Sequence, residues 1–451
     1  MTRQNHTVAV SAPGKVLLAG GYLVLDRAYT GLVFGLSARI NVIAQQIPTS
    51  AGVHLNEIVV ESPQFLEAQW RYGYHQADQD GGIKVTQLQV GSRIVANPFV
   101  ETTLNYALTY IARAAHYKPS HTIKACRLTI LADNDYYSQP ASTASHAISA
   151  SRFARFPTTL GGANKTGLGS SAALVTALTA ALLTHYLDPT TFSLKSDSGK
   201  QILHNLAQAA HCAAQGKVGS GFDVAAAVYG SSTYRRFSPG ILAILPEAGA
   251  PKFATLLEKV VNGLEEGAKW DTEVLKDAVS LPVGVAMRMC DVDCGSQTVG
   301  MVKQVLAWKA KDPEESKAIW DELQRRNEEL AKVLKEGRKE DIKEAVRKVR
   351  EYVRLMGTKS GVPIEPDSQT ELLDALEGVD GVYGGVVPGA GGHDAAALLV
   401  EDNDETMERL REFLSQWSKK EGHGRVSLMG VKGEMEGVRS EELESYSGWL
   451  R

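Results

Sequence analysis

Cysteine is scarce. Cys126, Cys212, Cys290 and Cys294 are the only ones in a chain of 451 residues. Four thiols in so long a chain make no disulfide framework, and Cys290 and Cys294 lack the second pair that a zinc site needs. All four read as reduced thiols, and the expected compartment is cytoplasmic. Long apolar runs are also missing. No uninterrupted stretch approaches membrane length, and the opening MTRQNHTVAV has no apolar signal core. Nor is there an excess of one charge. A net charge of -4 and a pI near 6.3 argue against a general binder of nucleic acid or membrane surfaces. The expected partners are small molecules, with the protein a monomer or weak homodimer.

Hydrophobic residues make up 43% of the chain, enough for two or three domains and a substantial core. Residues 6–60 alternate apolar and polar in short runs, as strands do. Helical spacing is expected over 97–117, 171–187 and 198–214, with another helix beginning near Asp223. The Pro239–Gly240 pair suggests a boundary, giving domains 1–240 and 241–451. Beyond it, VGVAMRM reads as a strand, and Asp312, Pro313 and Glu315 read as a helix start. A helix is also expected over 404–418. Helix and strand mixed in both halves predict an α+β protein.

The most informative stretch is KTGLGSSAA, Lys165–Ala173, which feeds an alanine-rich apolar run. Glycines permit tight turns and close approach to a ligand. The first N–H groups of a helix have no partner within it, and the peptide dipoles make that end partly positive. Such a terminus holds phosphate. No Gly-Lys-Ser/Thr follows at Walker spacing, and the dinucleotide fingerprint is absent. Two further glycine-rich stretches accompany it: SAPGKVLLAGGYLVLD, Ser11–Asp26, and VPGAGGHDAAALLV, Val387–Val400.

In order and spacing, these three stretches resemble the signature motifs of the GHMP kinases. Five segments, one of them overlapping the Lys165–Ala173 stretch, resemble the fungal-type phosphomevalonate kinases in particular. They are NDYYS (Asn134–Ser138), NKTGLGSSAA, the run Ala213–Pro239, CGSQTVGMV (Cys294–Val302) and IEPDSQTELLD (Ile364–Asp374). The resemblance implies a two-domain fold: an N-terminal ribosomal-protein-like α+β domain that binds ATP and a C-terminal ferredoxin-like domain. It also implies transfer of the ATP γ-phosphoryl to 5-phosphomevalonate with Mg²⁺. Mevalonate kinase, or a catalytically silent ligand-binding relative, is the alternative.

Donor and acceptor would both be anionic, so the site must supply cations and helix termini. The resemblance puts Lys15 beside the transferred phosphate and implies that Asp223 pairs with this lysine and faces the acceptor. Asp223 could equally cap a helix after Gly221. Gly167, Leu168, Gly169, Ser170, Ser171 and Ala172 are expected to cradle the ATP phosphates, with Ser171 on the metal. Lys165 and Lys217 are candidate phosphate clamps. Ser296 and Thr298 are candidates for holding the acceptor, with Gly389, Ala390, Gly391 and Gly392 supporting the site from the second domain. Asn97 and Pro98 are expected to border adenine.

Overall fold

The structure is a computed structural model that describes residues 7–89, 95–115, 123–137, 152–264, 269–293 and 300–450. Its spine is the long strand β2, Gly31–Gln46, which pairs antiparallel with β1, Val8–Ala19. On its other side β2 meets β6, Cys126–Ala132. The sheet then continues through β3, Glu57–Glu61, β4, Gln69–Ala77, and β5, Gly82–Leu88.

Among the described residues five helices accompany this half: α1, Pro98–Ala114; α2, Ser170–Tyr186; α3, Asp197–Gln215; α4, Phe222–Tyr229; and α5, Phe253–Asn262. Asn97 starts α1, its side chain accepting from the Val100 N–H at 3.3 Å, and Pro98 takes the first turn. Ser196 starts α3 in the same way through the Gly199 N–H. Thirteen of the seventeen residues of α2 are buried, so this helix is apolar all round and sits between β1, β2 and its neighbours. Burial begins at Ala172, so the body of the helix is packed while its first turn, Ser170 and Ser171, stays partly open.

The second half holds β9, Val285–Asp293; β10, Val382–Val386; β11, Ala395–Glu401; and β12, Arg425–Glu434. Their order is β10-β11-β9-β12, antiparallel throughout. Among the described residues four helices connect β9 to β10: α6, Met301–Lys311; α7, Pro313–Glu336; α8, Lys339–Ser360; and α9, Asp367–Leu376. A single helix, α10, Asp404–Trp417, connects β11 to β12. That is a ferredoxin-like arrangement with an expanded first crossover, and the protein is α+β as expected.

β12 joins the halves by pairing Gly433 with Leu36 and Glu434 with Gly35 of β2. The chain then returns to the first half, where β13, Arg439–Ser440, pairs with β1 and Tyr446 packs among Ala9, Ile43 and Leu131. Residues just beyond 240 also stay there. β7, Ser232–Arg235, pairs with β8, Glu273–Leu275, and α5 packs on α1 and α3. We therefore propose a division near Pro282 rather than at Pro239–Gly240. At Asp312 the expected capping box does not form through its carboxylate, because the residue ends α6 and begins α7. Its N–H bonds to Trp308 and its carbonyl accepts from Ser316.

Candidate active site

The first two glycine motifs meet at Lys15. Its backbone N–H donates to the Leu168 carbonyl at 2.9 Å, and its Nζ lies 3.4 Å from the Gly167 carbonyl. The stem of the lysine crosses Gly169, where an added Cβ would come within 2.8 Å of its Cε. Gly169 also has φ +82°, the left-handed geometry that suits glycine, and it begins α2 without a side-chain cap. The first-turn N–H groups of Ser170, Ser171 and Ala172 therefore face outward beside the lysine. Phe222 flanks the ammonium, its ring centroid 5.7 Å from Nζ.

Burial lowers the Lys15 pKa from its ordinary value, and the nearby Asp223 carboxylate opposes that shift. The two act through space, without a contact ion pair. Asp223 lies in the first turn of α4, which Gly221 begins with φ 84°. Its Oδ1 accepts from the Val224 N–H at 3.0 Å, and its Oδ2 is 3.9 Å from His211 Nδ1. His211 Nε2 in turn lies 3.1 Å from Ser171 Oγ. Ser171, His211 and Asp223 thus form one cluster that joins α2, α3 and α4.

Beside this cluster a cleft of about 1180 Å³ opens between the halves. Lys15, Lys165, Gly167, Asn134 and Asp135 line one side; Gly389, Ala390 and Gly391 line it from the other half. Alternate residues of β12, Arg425, Ser427 and Met429, complete the lining with Met289 and Asp291 of β9. The third glycine motif is tied to the first. Gly389 N–H donates to the Leu17 carbonyl at 3.1 Å, and Tyr22 Oη donates to the Ala390 carbonyl at 2.7 Å. Behind the loop, Gly392 N–H donates to the Ile364 carbonyl, and a Cβ on Gly391 would lie 2.1 Å from that oxygen. Asp135 bridges the halves by accepting from the Gly430 N–H, and burial raises its pKa.

Most of the expected site residues are thus brought together. Asn97 and Pro98 begin α1, next to Phe99, whose ring lies 5.8 Å from that of His211. Lys217 follows α3 on an exposed turn and does not line the cleft. Ser296 and Thr298 lie outside the described residues. Sequence reasoning missed Tyr22, Asp135, His211 and Arg425. Tyr22 and Asp135 lie inside segments singled out above, whereas His211 and Arg425 carried no local signal.

The description "GHMP kinases N terminal domain" fits residues 154–231, which include Lys165, the α2 glycine turn and Asp223. A solved Streptococcus pneumoniae phosphomevalonate kinase, in complex with phosphomevalonate and AMPPNP, shares the fold. Its TM-score is 0.61 at 16% identity, covering 95% of this chain and 100% of that one. The fold is that of a GHMP kinase. Among curated proteins, the phosphomevalonate kinase of Gibberella zeae is 64% identical over 450 residues, covering 100% of both chains. That of Aspergillus fumigatus is 47% identical, covering 98% of each. The chain belongs to the phosphomevalonate kinase family.

Proposed function

We propose that the chain transfers the γ-phosphoryl of ATP to the phosphate of 5-phosphomevalonate, giving 5-diphosphomevalonate and ADP. The bond between the γ-phosphorus and the β–γ bridging oxygen breaks, and an acceptor phosphate oxygen forms the new bond. The observation that carries this reading is the seat of Lys15. The ammonium stands where the glycine turn of α2, the Asp223 carboxylate and the cleft converge.

In this reading the N-terminus of α2, from Gly167 to Ala172, holds the ATP phosphates, and Asn97 and Pro98 border adenine. Lys15 lies against the oxygens that gain charge as the phosphoryl group moves. Lys165 and Arg425 approach the acceptor from the two halves, which suits a molecule with a phosphate at one end and a carboxylate at the other. Gly389, Ala390, Gly391 and Gly392 close the site, and Ser296 and Thr298 remain candidates for the acceptor's phosphate, whereas Lys217, outside the cleft, does not. Asp223 orients Lys15 and the acceptor. An ionised phosphate oxygen has no proton to lose, so no strong base is needed.

The donor set suits Mg²⁺. Ser171 and Asp223 would supply two oxygen ligands, and this ion usually takes only one or two from protein and the rest from phosphates and water. No group of three or more His, Cys, Asp or Glu side chains forms a metal cage among the described residues. When bound, the ion neutralises charge on the β- and γ-phosphates. A cytoplasmic setting is supported by Cys126, Cys212 and Cys290, all free and buried. We retain a monomer or weak homodimer as the working state. Measuring ADP release with 5-phosphomevalonate and with mevalonate tests the reading. Turnover should require the phosphorylated acceptor, and equal rates on both would overturn the assignment.

A further inference from the structure

We propose that His211 is a positioning residue. It draws the hydroxyl proton of Ser171 inward so that the oxygen presents lone pairs, rather than a proton, to the metal–nucleotide. This inference rests on the reading that Ser171 faces Mg²⁺·ATP, and it adds a residue that no motif contains.

The direction of the Ser171–His211 hydrogen bond depends on which ring nitrogen carries the proton. His211 is 2% exposed, on the last turns of α3, with Phe99 against its ring. One helical turn on, the Gln215 amide nitrogen lies 3.1 Å from His211 Nε2. An amide nitrogen only donates. Together with the carboxylate that faces Nδ1, this contact favours the ring proton on Nδ1 and leaves Nε2 as the acceptor. Nδ1 looks toward Asp223 Oδ2 at 3.9 Å. That is too long for a hydrogen bond, but it sets an N–H dipole favourably toward a carboxylate.

Ser171 Oγ is 3.1 Å from the same Nε2. A nitrogen without a hydrogen cannot donate to it, so in this tautomer the serine hydroxyl donates, sharing the single Nε2 lone pair with the Gln215 amide. Its proton then points into the protein, and both lone pairs are free on the side of the α2 terminus. Were the tautomer reversed, Nε2–H would occupy one of those lone pairs and leave the hydroxyl proton free to point at the cation. In this tautomer the ring orients one oxygen ligand by hydrogen bonding and faces the second with an N–H dipole.

Three variants separate this role from simple packing. His211→Ala removes the acceptor, His211→Gln keeps an acceptor at about the reach of Nε2, and His211→Asn is too short to reach Ser171. Calorimetric titration with ADP, with and without Mg²⁺, is read alongside the steady-state constants for both substrates. In His211→Ala the dissociation constant of Mg²⁺·ADP should rise about 10-fold or more, in line with losses seen when a partner behind a metal ligand is removed. Metal-free ADP affinity and the KM for 5-phosphomevalonate should stay within about 2-fold of wild type, since neither uses the orientation of the hydroxyl. His211→Gln should recover most of the Mg²⁺·ADP affinity, and His211→Asn should not.

If His211→Ala does not fold, the comparison of Gln with Asn decides the matter by itself. Equal Mg²⁺·ADP affinity in those two variants, or a loss in His211→Ala that is the same without metal, would overturn the positioning role. Wild-type protein that binds ADP equally with and without Mg²⁺ would instead overturn the metal reading on which the inference rests.

Discussion

Replacing Lys15 with methionine isolates the charge at the centre of the site. The methionine stem can still lie across Gly169 and beside Phe222, so packing is largely kept while the ammonium goes. Losing one preorganised donor to a transition state typically costs about 2.7–4 kcal/mol, or roughly 10²–10³ in turnover. We expect Lys15→Met to lower kcat at least ~100-fold, with a smaller change in the KM for ATP, whose phosphates keep the α2 terminus. Stability should move the other way. Burial depresses the Lys15 pKa, so the charged lysine opposes folding at neutral pH. The unfolded chain binds the proton more tightly than the folded one. Wild-type stability from this group therefore rises as pH passes from the lowered folded value toward the ordinary 10.5. Lys15→Met should melt no lower than wild type near pH 7, and its advantage should shrink across that window. Steady-state ADP release and thermal melts at several pH values provide both readouts. Near-normal turnover in a folded Lys15→Met protein would remove the lysine from the mechanism.

Ser171→Ala should weaken the use of Mg²⁺·ATP more than acceptor binding; a rise confined to the KM for 5-phosphomevalonate would mean the two substrates are placed the wrong way round. Asp223→Asn should keep measurable activity and lose less than Lys15→Met, and complete loss with both substrates still bound would refute an orienting role. The acidic limb of the rate profile should follow the acceptor's own second ionisation, near ~6. Glu365 is fully buried and pairs with Arg350 at 2.7 Å, next to the Ile364 carbonyl that anchors the third glycine motif. Glu365→Ala should destabilise by about 3 kcal/mol, the low end for breaking a buried pair, because Asp374 and Glu377 still face Arg350. Chemical denaturation measures it, and a change below about 1 kcal/mol would contradict the reasoning.

The parts of the site that were legible in the sequence are those where one short segment carries the whole device. KTGLGSSAA announces its turn, its helix start and its apolar helix in succession, and α2 begins at Ser170 as that pattern requires. SAPGK and VPGAGG were legible for the same reason, since close backbone approach demands glycine at Gly14 and Gly391. What escaped depends on helices crossing. His211 meets Ser171 only because α3 packs on α2, and nothing in its spacing separates it from His204 on the same helix, which is buried as well. β12 escaped because its glycines and charges blur the alternation, and its pairing with β9 slips between Leu428 and Lys432. With that strand unread, Arg425 could not be assigned to the cleft. The Pro239–Gly240 pair marks a local turn, while the chain's packing carries the first half on through α5 and β8.

The most direct test of the central claim is phosphorus NMR of a reaction containing ATP, Mg²⁺ and 5-phosphomevalonate. The account predicts that the acceptor's monophosphate signal is replaced by a coupled pair of diphosphate resonances, one for each ADP formed, with no net inorganic phosphate. Mevalonate in its place should give no new phosphate ester. Release of inorganic phosphate in step with ADP, or conversion of mevalonate as fast as its phosphate, would contradict the account.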